Sequence, residues 1–433
     1  MPLPTAPLFR RALWVNIHIV LGLTLGLLFV LMGLTGSLSI YREGLDELLN
    51  PRLTAENPNT PPLSLDKIMA AVRTAHPSRH DEWVLELPRS PHGMVTAWYE
   101  KPYETFGELY APLMVSVNPY TAEVVASRFW GRTFTTWVED LHTQLQMGLF
   151  GVRAVGFLGL ALMASTVSGA CLWWPGLANL RQAFTFRHQQ GWNCFARDLH
   201  SLIGLISAIG LLLLAFTGFH LSNPKILETL AGASGMGHGE EGPAIRSTAA
   251  PNNRPVSLEE AVAIARGPFP HAEVRRIATP AGEDGTYRIN LRRPGEVNIR
   301  HPVTLVWVDR WSGQIRAVRN PNLFTAGQVF VSRLWPLHTG EAFGATGRLL
   351  GFLLGFTPLL LYTSGLAQWL IKRGILNDRA VDFSRLRAIS LRIGRALREY
   401  GLILTGRSLQ AGRWLLAQIK TLAQWAKDRG WIQ

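Results

Sequence analysis

The chain has 433 residues, of which 47% are hydrophobic, and its formal net charge is +13. This length allows two or three soluble domains, or a mixture of membrane and soluble parts. Four stretches are apolar enough to cross a bilayer, which takes about 20 residues, and they exclude an entirely soluble protein. These stretches are 13–40, 155–174, 202–221 and 350–371. We therefore expect an integral membrane protein in contact with the lipid bilayer.

The first apolar stretch predicts a retained transmembrane helix at 13–41. A signal peptide has an apolar core of about 7–15 residues before a small-residue cleavage site, whereas this stretch is longer and continues into LTGSLSIYRE. The other predicted transmembrane helices are 142–175, 197–222 and 338–373. Four helices of this kind favour a four-helix transmembrane bundle.

Basic residues predict the orientation of these helices. The N-terminus, the loop 175–199 and the tail 372–433 lie on one side of the four spans and carry a net charge of +13. The two long loops, 41–141 and 222–346, carry −2 in total. Because basic residues accumulate in short cytoplasmic segments, both termini are expected in the cytoplasm and both long loops outside. Membrane orientation thus explains the net positive charge of the chain, and no nucleic-acid partner is expected.

Each long loop predicts one small α+β domain, at 62–130 and at 255–320. Each begins with a serine N-cap, Ser64 or Ser257, in front of an amphipathic helix. Alternating apolar residues and a strand–turn–strand pattern follow in both loops. These strand segments are 94–100, 117–128, 287–293 and 307–318.

The spans carry an internal repeat that involves four histidines. His18 and His200 each open a His-xxx-Gly-Leu motif, and the glycine of a Thr-Gly pair stands eighteen residues after each. In the second and fourth spans, the glycine of a Ser-Gly pair stands twenty-seven residues after His142 and after His338. The bundle is therefore interpreted as an internal duplication, with two halves of the same topology.

The predicted topology sorts these histidines into two pairs. His18 and His200 begin helices that leave the cytoplasm, and His142 and His338 begin helices that return from outside. A single histidine at a membrane interface is often just a hydrated side chain, but four related by a repeat favour ligands. Two imidazoles facing each other across a bundle suit a haem iron, which takes two axial ligands. Zinc would need three or four ligands, and the spans offer no carboxylate or thiol with matching spacing.

Several other residues are weaker candidates. His220 lies near the outer face, but its helical rotation of about 200° from His200 favours a place beside the site or toward the substrate over a ligand role. Glycines in the first and third spans either leave room for a flat macrocycle or allow close helix packing. These glycines are Gly22, Gly26, Gly33, Gly36, Gly204, Gly210 and Gly218. Cys171 and Cys194 lack metal-site spacing and are expected to be structural.

Charged segments outside the spans each allow two interpretations. Four arginines of the second long loop either attract an anionic complex or are solvated strand edges; they are Arg275, Arg276, Arg292 and Arg293. The loop GMGHGEEG (235–242) either offers a metal site or is a flexible connection; its candidate ligands are His238, Glu240 and Glu241. The tail 381–430 predicts a basic amphipathic helix on the anionic inner leaflet or, less well, a docking surface for an electron donor.

The spans and loops together resemble a known family. The His-xxx-Gly-Leu span with its Leu-Thr-Gly-Ser ending, the Leu-His-Thr entry, the Ser-Gly-xxx-Trp-Trp-Pro exit (168–175) and the paired outside domains are similar to the PepSY-associated transmembrane family. The likeness covers 13–373 and is greatest to the FoxB-type ferrisiderophore reductases. It implies a bacterial inner-membrane protein with two periplasmic PepSY-like domains. It also implies two b-type haems, held at His18, His200, His142 and His338, that deliver electrons to a ferric siderophore in the periplasm.

The electron donor and two non-redox alternatives remain open. The sequence GMGHG follows no predicted strand and so fails the context of a nucleotide-binding motif. We therefore expect membrane quinol or a separate reductase as the donor. The first alternative is a membrane-anchored binding or regulatory protein whose outside domains bind peptide or inhibit a protease. The second is a permease in which the histidines form a proton relay.

Overall fold

A computed structural model of the chain describes residues 11–55, 60–175, 191–236, 243–248 and 254–378. The α-helices in these ranges are α1 (Arg11–Ile40), α2 (Arg42–Leu49), α3 (Leu65–Ala75), α4 (Phe134–Gln144), α5 (Gly148–Trp173), α6 (Trp192–Ser222), α7 (Pro224–Leu230), α8 (Leu258–Arg266), α9 (Ala326–His338), α10 (Gly344–Leu354) and α11 (Thr357–Lys372). The strands are β1 (Val84–Glu86), β2 (Val95–Tyr99), β3 (Leu113–Val117), β4 (Val124–Phe129), β5 (Glu273–Ala278), β6 (Thr286–Arg292), β7 (Thr304–Asp309) and β8 (Ile315–Arg319).

Four helical segments of the described residues are long and apolar enough to cross a membrane. They are α1, α5, α6 and the segment Glu341–Lys372, which contains α10 and α11. Around the bundle, α1 packs against α5 and α11, and α6 packs against the same two helices. The spans therefore form a closed ring in which α1 and α6 occupy opposite corners.

The second and fourth spans begin later than the sequence predicts. His142 lies in α4, a separate helix that ends at Leu145 in the left-handed conformation, with a φ of 49°, and α5 starts only at Gly148. His338 is the last residue of α9, and the chain turns at Gly340 with a φ of 79° before α10. The expectation that these histidines begin the returning helices is wrong, because a left-handed turn interrupts a helix without changing the hydrophobicity that was used to predict it.

The strands of both long loops join in one antiparallel sheet, in the order β4-β3-β2-β1-β5-β6-β7-β8. The helix and strands predicted for each loop are present, but the two expected domains share this sheet and one apolar core. They meet where β1 pairs with β5, with Leu85 opposite Ile277. Since β1 has only three residues, its alternation is too short to predict a strand, and the joined sheet could not be anticipated.

Helices α3 and α8 cap each other across the junction of the two halves. Each has the predicted serine N-cap. In addition, Asp66 of α3 accepts a 2.9 Å hydrogen bond from the backbone N–H of Leu258. In return, Glu259 of α8 accepts a 2.9 Å bond from the N–H of Leu65. Each carboxylate satisfies a free N-terminal donor of the other helix, so the two halves are held together by reciprocal capping.

Ion pairs attach the sheet to one end of the bundle, which we call the sheet end; the opposite end is the far end. Arg300 and Arg89 place guanidinium nitrogens 3.2 Å and 3.0 Å from the carboxylate of Glu43. Arg42 lies 2.7 Å from the carboxylate of Glu139 in α4. Because Arg300 belongs to the second half and Glu43 to the first, this cluster also connects the halves. Burial alone would raise the pKa of Glu43, but the surrounding guanidinium groups lower it to about 2.

Replacing Glu43 with glutamine is expected to lower the free energy of unfolding by about 1–2 kcal/mol. The loss is smaller than for a fully buried ion pair, because the Glu43 side chain is 40% exposed and solvent weakens its ion pairs. The folded pKa of about 2 lies below the ordinary value of 4.5, so the stabilisation is complete above pH 4.5 and is lost as the pH falls toward 2. Thermal unfolding midpoints at neutral and acidic pH measure this effect. The control is Glu108→Gln, which removes an exposed pair with Arg132. An equal loss in both variants would contradict the prediction.

Two predicted segments lie outside the described residues. They are the tail 381–430 and the part of the loop 235–242 that carries the three candidate metal ligands, His238, Glu240 and Glu241.

Candidate functional site

The far end of the bundle brings His18 and His200 together. His18 lies on α1 and His200 on α6, the helices at opposite corners of the ring. Their ring centroids are 5.9 Å apart and the ring planes are perpendicular, at 90°. The pair therefore spans the centre of the bundle, with one histidine from each half of the chain.

The sheet end brings His142 and His338 together in the same way. These residues come from α4 and α9, the short helices that connect the sheet to the spans. Their ring centroids are 6.2 Å apart and the planes are tilted by 41°. Both pairings expected from the topology are thus present as spatial pairs, although the two sheet-end histidines reach the site from separate helices.

Each far-end imidazole is held at Nδ1 by two oxygens of a neighbouring span. For His18 these are the carbonyl oxygen of Ser165 at 3.0 Å and the hydroxyl of Ser168 at 3.1 Å. For His200 the hydroxyl of Ser364 lies at 3.1 Å, and the backbone carbonyl three residues earlier lies at 3.0 Å. The same two groups therefore hold both rings, at distances that agree within 0.1 Å.

The sheet-end imidazoles have corresponding partners. His142 Nδ1 lies 3.0 Å from the carbonyl oxygen of Met32 and 3.3 Å from the hydroxyl of Thr35. His338 Nδ1 lies 2.9 Å from the hydroxyl of Thr217, and the carbonyl of the residue three places before Thr217 is its second partner. All four histidines are thus held by a Ser or Thr hydroxyl and by the carbonyl three residues before it.

The hydroxyl groups determine which imidazole nitrogen carries the proton. Each hydroxyl donates its own proton to a carbonyl of its own helix, as Thr35 does to Leu31 at 2.7 Å and Ser364 to Leu360 at 2.6 Å. The other two hydroxyls do the same. A hydroxyl that has donated its only proton can only accept from the imidazole. We therefore assign the proton to Nδ1 at all four histidines, which leaves the Nε2 lone pair free to bind a metal.

The glycine after each hydroxyl residue gives the imidazole its space. A methyl group added at Gly36 would lie 2.7 Å from Cε1 of His142, and one at Gly169 would lie 3.0 Å from Cε1 of His18. The distances at Gly365 and Gly218, to the other two histidines, are 3.2 Å and 3.3 Å.

The Thr-Gly and Ser-Gly pairs that mark the repeat therefore contact the four imidazoles directly, an arrangement that sequence reasoning missed. The signal was their constant spacing from the histidines. The spacing was misleading in one respect, because the pair on α1 holds His142 and not His18 of its own helix.

The remaining glycines divide between the two interpretations given above. A methyl group at Gly22 would meet no atom of the described chain within 4 Å, and one at Gly204 would meet only Leu361 at 3.6 Å. Since Gly22 is four residues after His18, it lies on the same helix face and leaves open space beside that ring. By contrast, Gly33 packs against the backbone of Gly355, so it serves close helix packing. Gly26 and Gly210 also face close side chains.

The two pairs fit a haem with an axial histidine on each face. An imidazole nitrogen binds a first-row metal at about 2 Å, and adding roughly 1 Å from nitrogen to ring centroid on each side gives centroids about 6 Å apart. The measured separations are 5.9 Å and 6.2 Å. Among the described residues no group of three or more His, Cys, Asp or Glu side chains could hold a bare metal ion. Two imidazoles, with open space beside the far-end pair at Gly22 and Gly204, instead suit a metal whose other four ligands come from a macrocycle.

His220 lies on α6 one turn beyond Thr217 and is 1% exposed. Its Nδ1 is buried and has no hydrogen-bond partner among the described residues. Its place beside the sheet-end site follows only from its position on α6 and stays a prediction. Its role as a ligand stays a weaker prediction.

The four arginines of the second loop have different surroundings. Arg275 is buried and bonds to Glu273 at 3.2 Å, so neither of the expected interpretations describes it. Arg292 donates to the backbone carbonyl of Glu296. Arg276 lies 3.4 Å from the ring nitrogen of His301. Arg293 lines a cavity that is described below. Within the described residues neither cysteine forms a disulfide bond, and the Cys194 thiol contacts the side chains of Asp198 and Arg197.

Four apolar spans with an α+β part at one end define a multi-pass membrane protein. The sequence model of the family described as the PepSY-associated TM region matches residues 15–372. The chain therefore belongs to this family, as its motifs indicated. No curated protein matches the chain.

Proposed function

We propose that the protein is an inner-membrane oxidoreductase with two b-type haems, one at each histidine pair, which reduces a ferric siderophore outside the membrane. The observation that carries the proposal is the geometry of the pairs: two imidazoles about 6 Å apart, each with Nδ1–H bound to oxygen and Nε2 free. A haem bound there would carry one electron at its iron. His18 and His200 would hold the far-end haem, and His142 and His338 the sheet-end haem.

The proposed arrangement gives electrons a path across the hydrocarbon core of about 30 Å. The far end would face the cytoplasm together with both termini, and the sheet would lie in the periplasm, as the basic residues of the short segments favour. The donor would be membrane quinol or a separate reductase. One quinol loses two electrons and two protons to become quinone, and two ferric ions each gain one electron to become ferrous. Internal duplication of the chain would explain why each pair takes one histidine from each half.

The visible spectrum of the purified protein tests this proposal directly. We expect a red protein whose Soret band shifts on dithionite reduction, and whose ferrous form is reoxidised by a ferric siderophore. A colourless protein from haem-replete cells would contradict the proposal and favour the non-redox binding protein or the permease. A red protein that no ferric chelate reoxidises would limit the proposal to haem binding.

Replacing Gly22 with alanine is expected to lower the haem content without lowering stability. The added methyl group meets no described atom within 4 Å, and alanine stabilises a helix by about 1 kcal/mol relative to glycine. The protein without haem should therefore tolerate the substitution. If a macrocycle fills the open space, the methyl group displaces it from the far end. Haem per protein and the thermal unfolding midpoint are the two measurements. Unchanged haem content would show that this space is not the macrocycle site.

Replacing Ser364 with alanine is expected to make the midpoint potential of the far-end haem more positive. The hydroxyl accepts the Nδ1–H bond of His200, and this bond raises the basicity of the ligand and stabilises ferric iron. A redox titration followed in the visible spectrum measures the shift. Thr363→Val is the matched control, because the neighbouring hydroxyl bonds only to backbone carbonyls of its own helix. Equal potentials in wild type and Ser364→Ala would contradict the prediction.

A further inference from the structure

A cavity of about 260 Å³ lies beside the helix that carries His338. Three segments enclose it: the turn after β6 at 293–298, the short 3-10 helix Pro321–Leu323, and the first part of α9. Much of its wall is apolar, formed by Val297, Val303, Phe324 and Val329. This wall suits a ligand with an apolar body.

Two arginines and one carboxylate, that of Glu296, line the cavity, so the formal charge of its side chains is positive. Arg293 donates from Nη1 to the side chain of Asn322 at 2.9 Å, while its Nε is buried without a hydrogen-bond partner. Arg333 is exposed and makes no ion pair within the described ranges. The carboxylate of Glu296 accepts backbone N–H groups of Arg293 and Val303. It also attracts the Arg293 guanidinium and offsets part of the positive charge, whereas Arg333 keeps its charge. The guanidinium groups are thus available to an anionic oxygen ligand.

The first half of the chain differs at the positions that correspond to this arrangement. Helix α4 begins eight residues before its site histidine, whereas α9 begins twelve residues before His338, so the part of α9 before the histidine is about one turn longer. The position five residues before the histidine is Trp137 in the first half and Arg333 in the second. The Arg333 charge is therefore particular to the second half of the chain, as one acceptor site for a single substrate would require.

We propose that this cavity binds the electron acceptor, as an anionic ferric chelate with an apolar body, beside the sheet-end pair. The proposal rests on the proposed function and adds the place and the charge of the substrate. Arg333 is five residues before His338, about 7.5 Å along the helix axis, so the occupant lies close to the sheet-end site. The bound ferric ion gains one electron, supplied from quinol or a reduced protein, and becomes ferrous. No bond to the protein forms or breaks.

Binding of radiolabelled ferric EDTA to the oxidised whole protein, measured by equilibrium dialysis, tests the site without any electron transfer. We expect Arg293→Ala and Arg333→Ala each to raise the Kd about tenfold and to leave haem content unchanged. Arg132→Ala is the control, since this exposed arginine lies in the turn after β4, away from the cavity, and pairs with Glu108. Reduction of ruthenium hexaammine, a cationic acceptor, should not fall in the cavity variants, because removing an arginine lessens the repulsion of a cation.

Equal ferric EDTA affinity in the wild type and both cavity variants would overturn the proposal, and so would an equal loss in Arg132→Ala. If the cavity variants instead lose co-purified phospholipid and keep their affinity for ferric EDTA, the cavity holds a lipid phosphate and the proposal is wrong. The proposed function can fail independently of this site. A colourless protein that still needs both arginines to bind ferric EDTA would contradict the haem reductase but support the binding site.

Discussion

If the protein binds two haems as proposed, replacing His200 with alanine is expected to remove about half of the haem, because the far-end site would keep only one of its two histidines. Adding His18→Ala to this variant should remove no more, since both residues belong to the same site. Adding His142→Ala instead should remove nearly all the haem, because the second site then also lacks a ligand. Haem per protein, measured as the pyridine haemochrome, distinguishes these combinations.

The spectrum of each variant identifies the site that remains. The planes of the far-end pair are at 90° and those of the sheet-end pair at 41°. Two haems with such different axial ligand angles should give distinct low-spin ferric EPR signals. The signal lost with His200→Ala should also be the one lost with His18→Ala. If His18 and His200 remove different signals, or if the far-end double variant loses all haem from a folded protein, the assignment of ligands to sites is wrong.

Replacing Gly36 with alanine is expected to reduce haem affinity at the sheet end by about 10–100-fold. Substitutions of residues that orient a metal-binding histidine typically have effects of this size. The added methyl group would lie 2.7 Å from Cε1 of His142. The ring must then turn away from the direction set by Thr35 and Met32. Haem titration of the apoprotein and the sheet-end EPR signal are the measurements.

The repeat offers a matched control for this change. Gly218→Ala places the same methyl group 3.3 Å from Cε1 of His338, a contact that a small shift relieves, so its effect should be smaller. If the two alanine variants lose equal haem affinity, crowding of the ring does not explain the effect. If neither variant loses any, these glycines serve only helix packing.

Patterns along the chain were sufficient for the elements that depend on neighbouring residues. Apolar length predicted the four spans, and the serine N-caps at Ser64 and Ser257 predicted α3 and α8. The repeated spacing also singled out four histidines, and these are the residues that the fold brings together in two pairs. Such features are readable because hydrophobicity, capping and spacing are properties of short segments.

Packing decided the features that join distant residues. His18 depends on Ser168, 150 residues away, and β1 becomes a strand because β5 pairs with it. No local pattern specifies such contacts, because they arise when helices and strands bury their apolar faces against one another. The same holds for the breaks before α5 and α10 and for the cavity beside α9. Residue type and spacing therefore identified the imidazoles, whereas only the fold determined which hydroxyl orients each ring and what lies beside it.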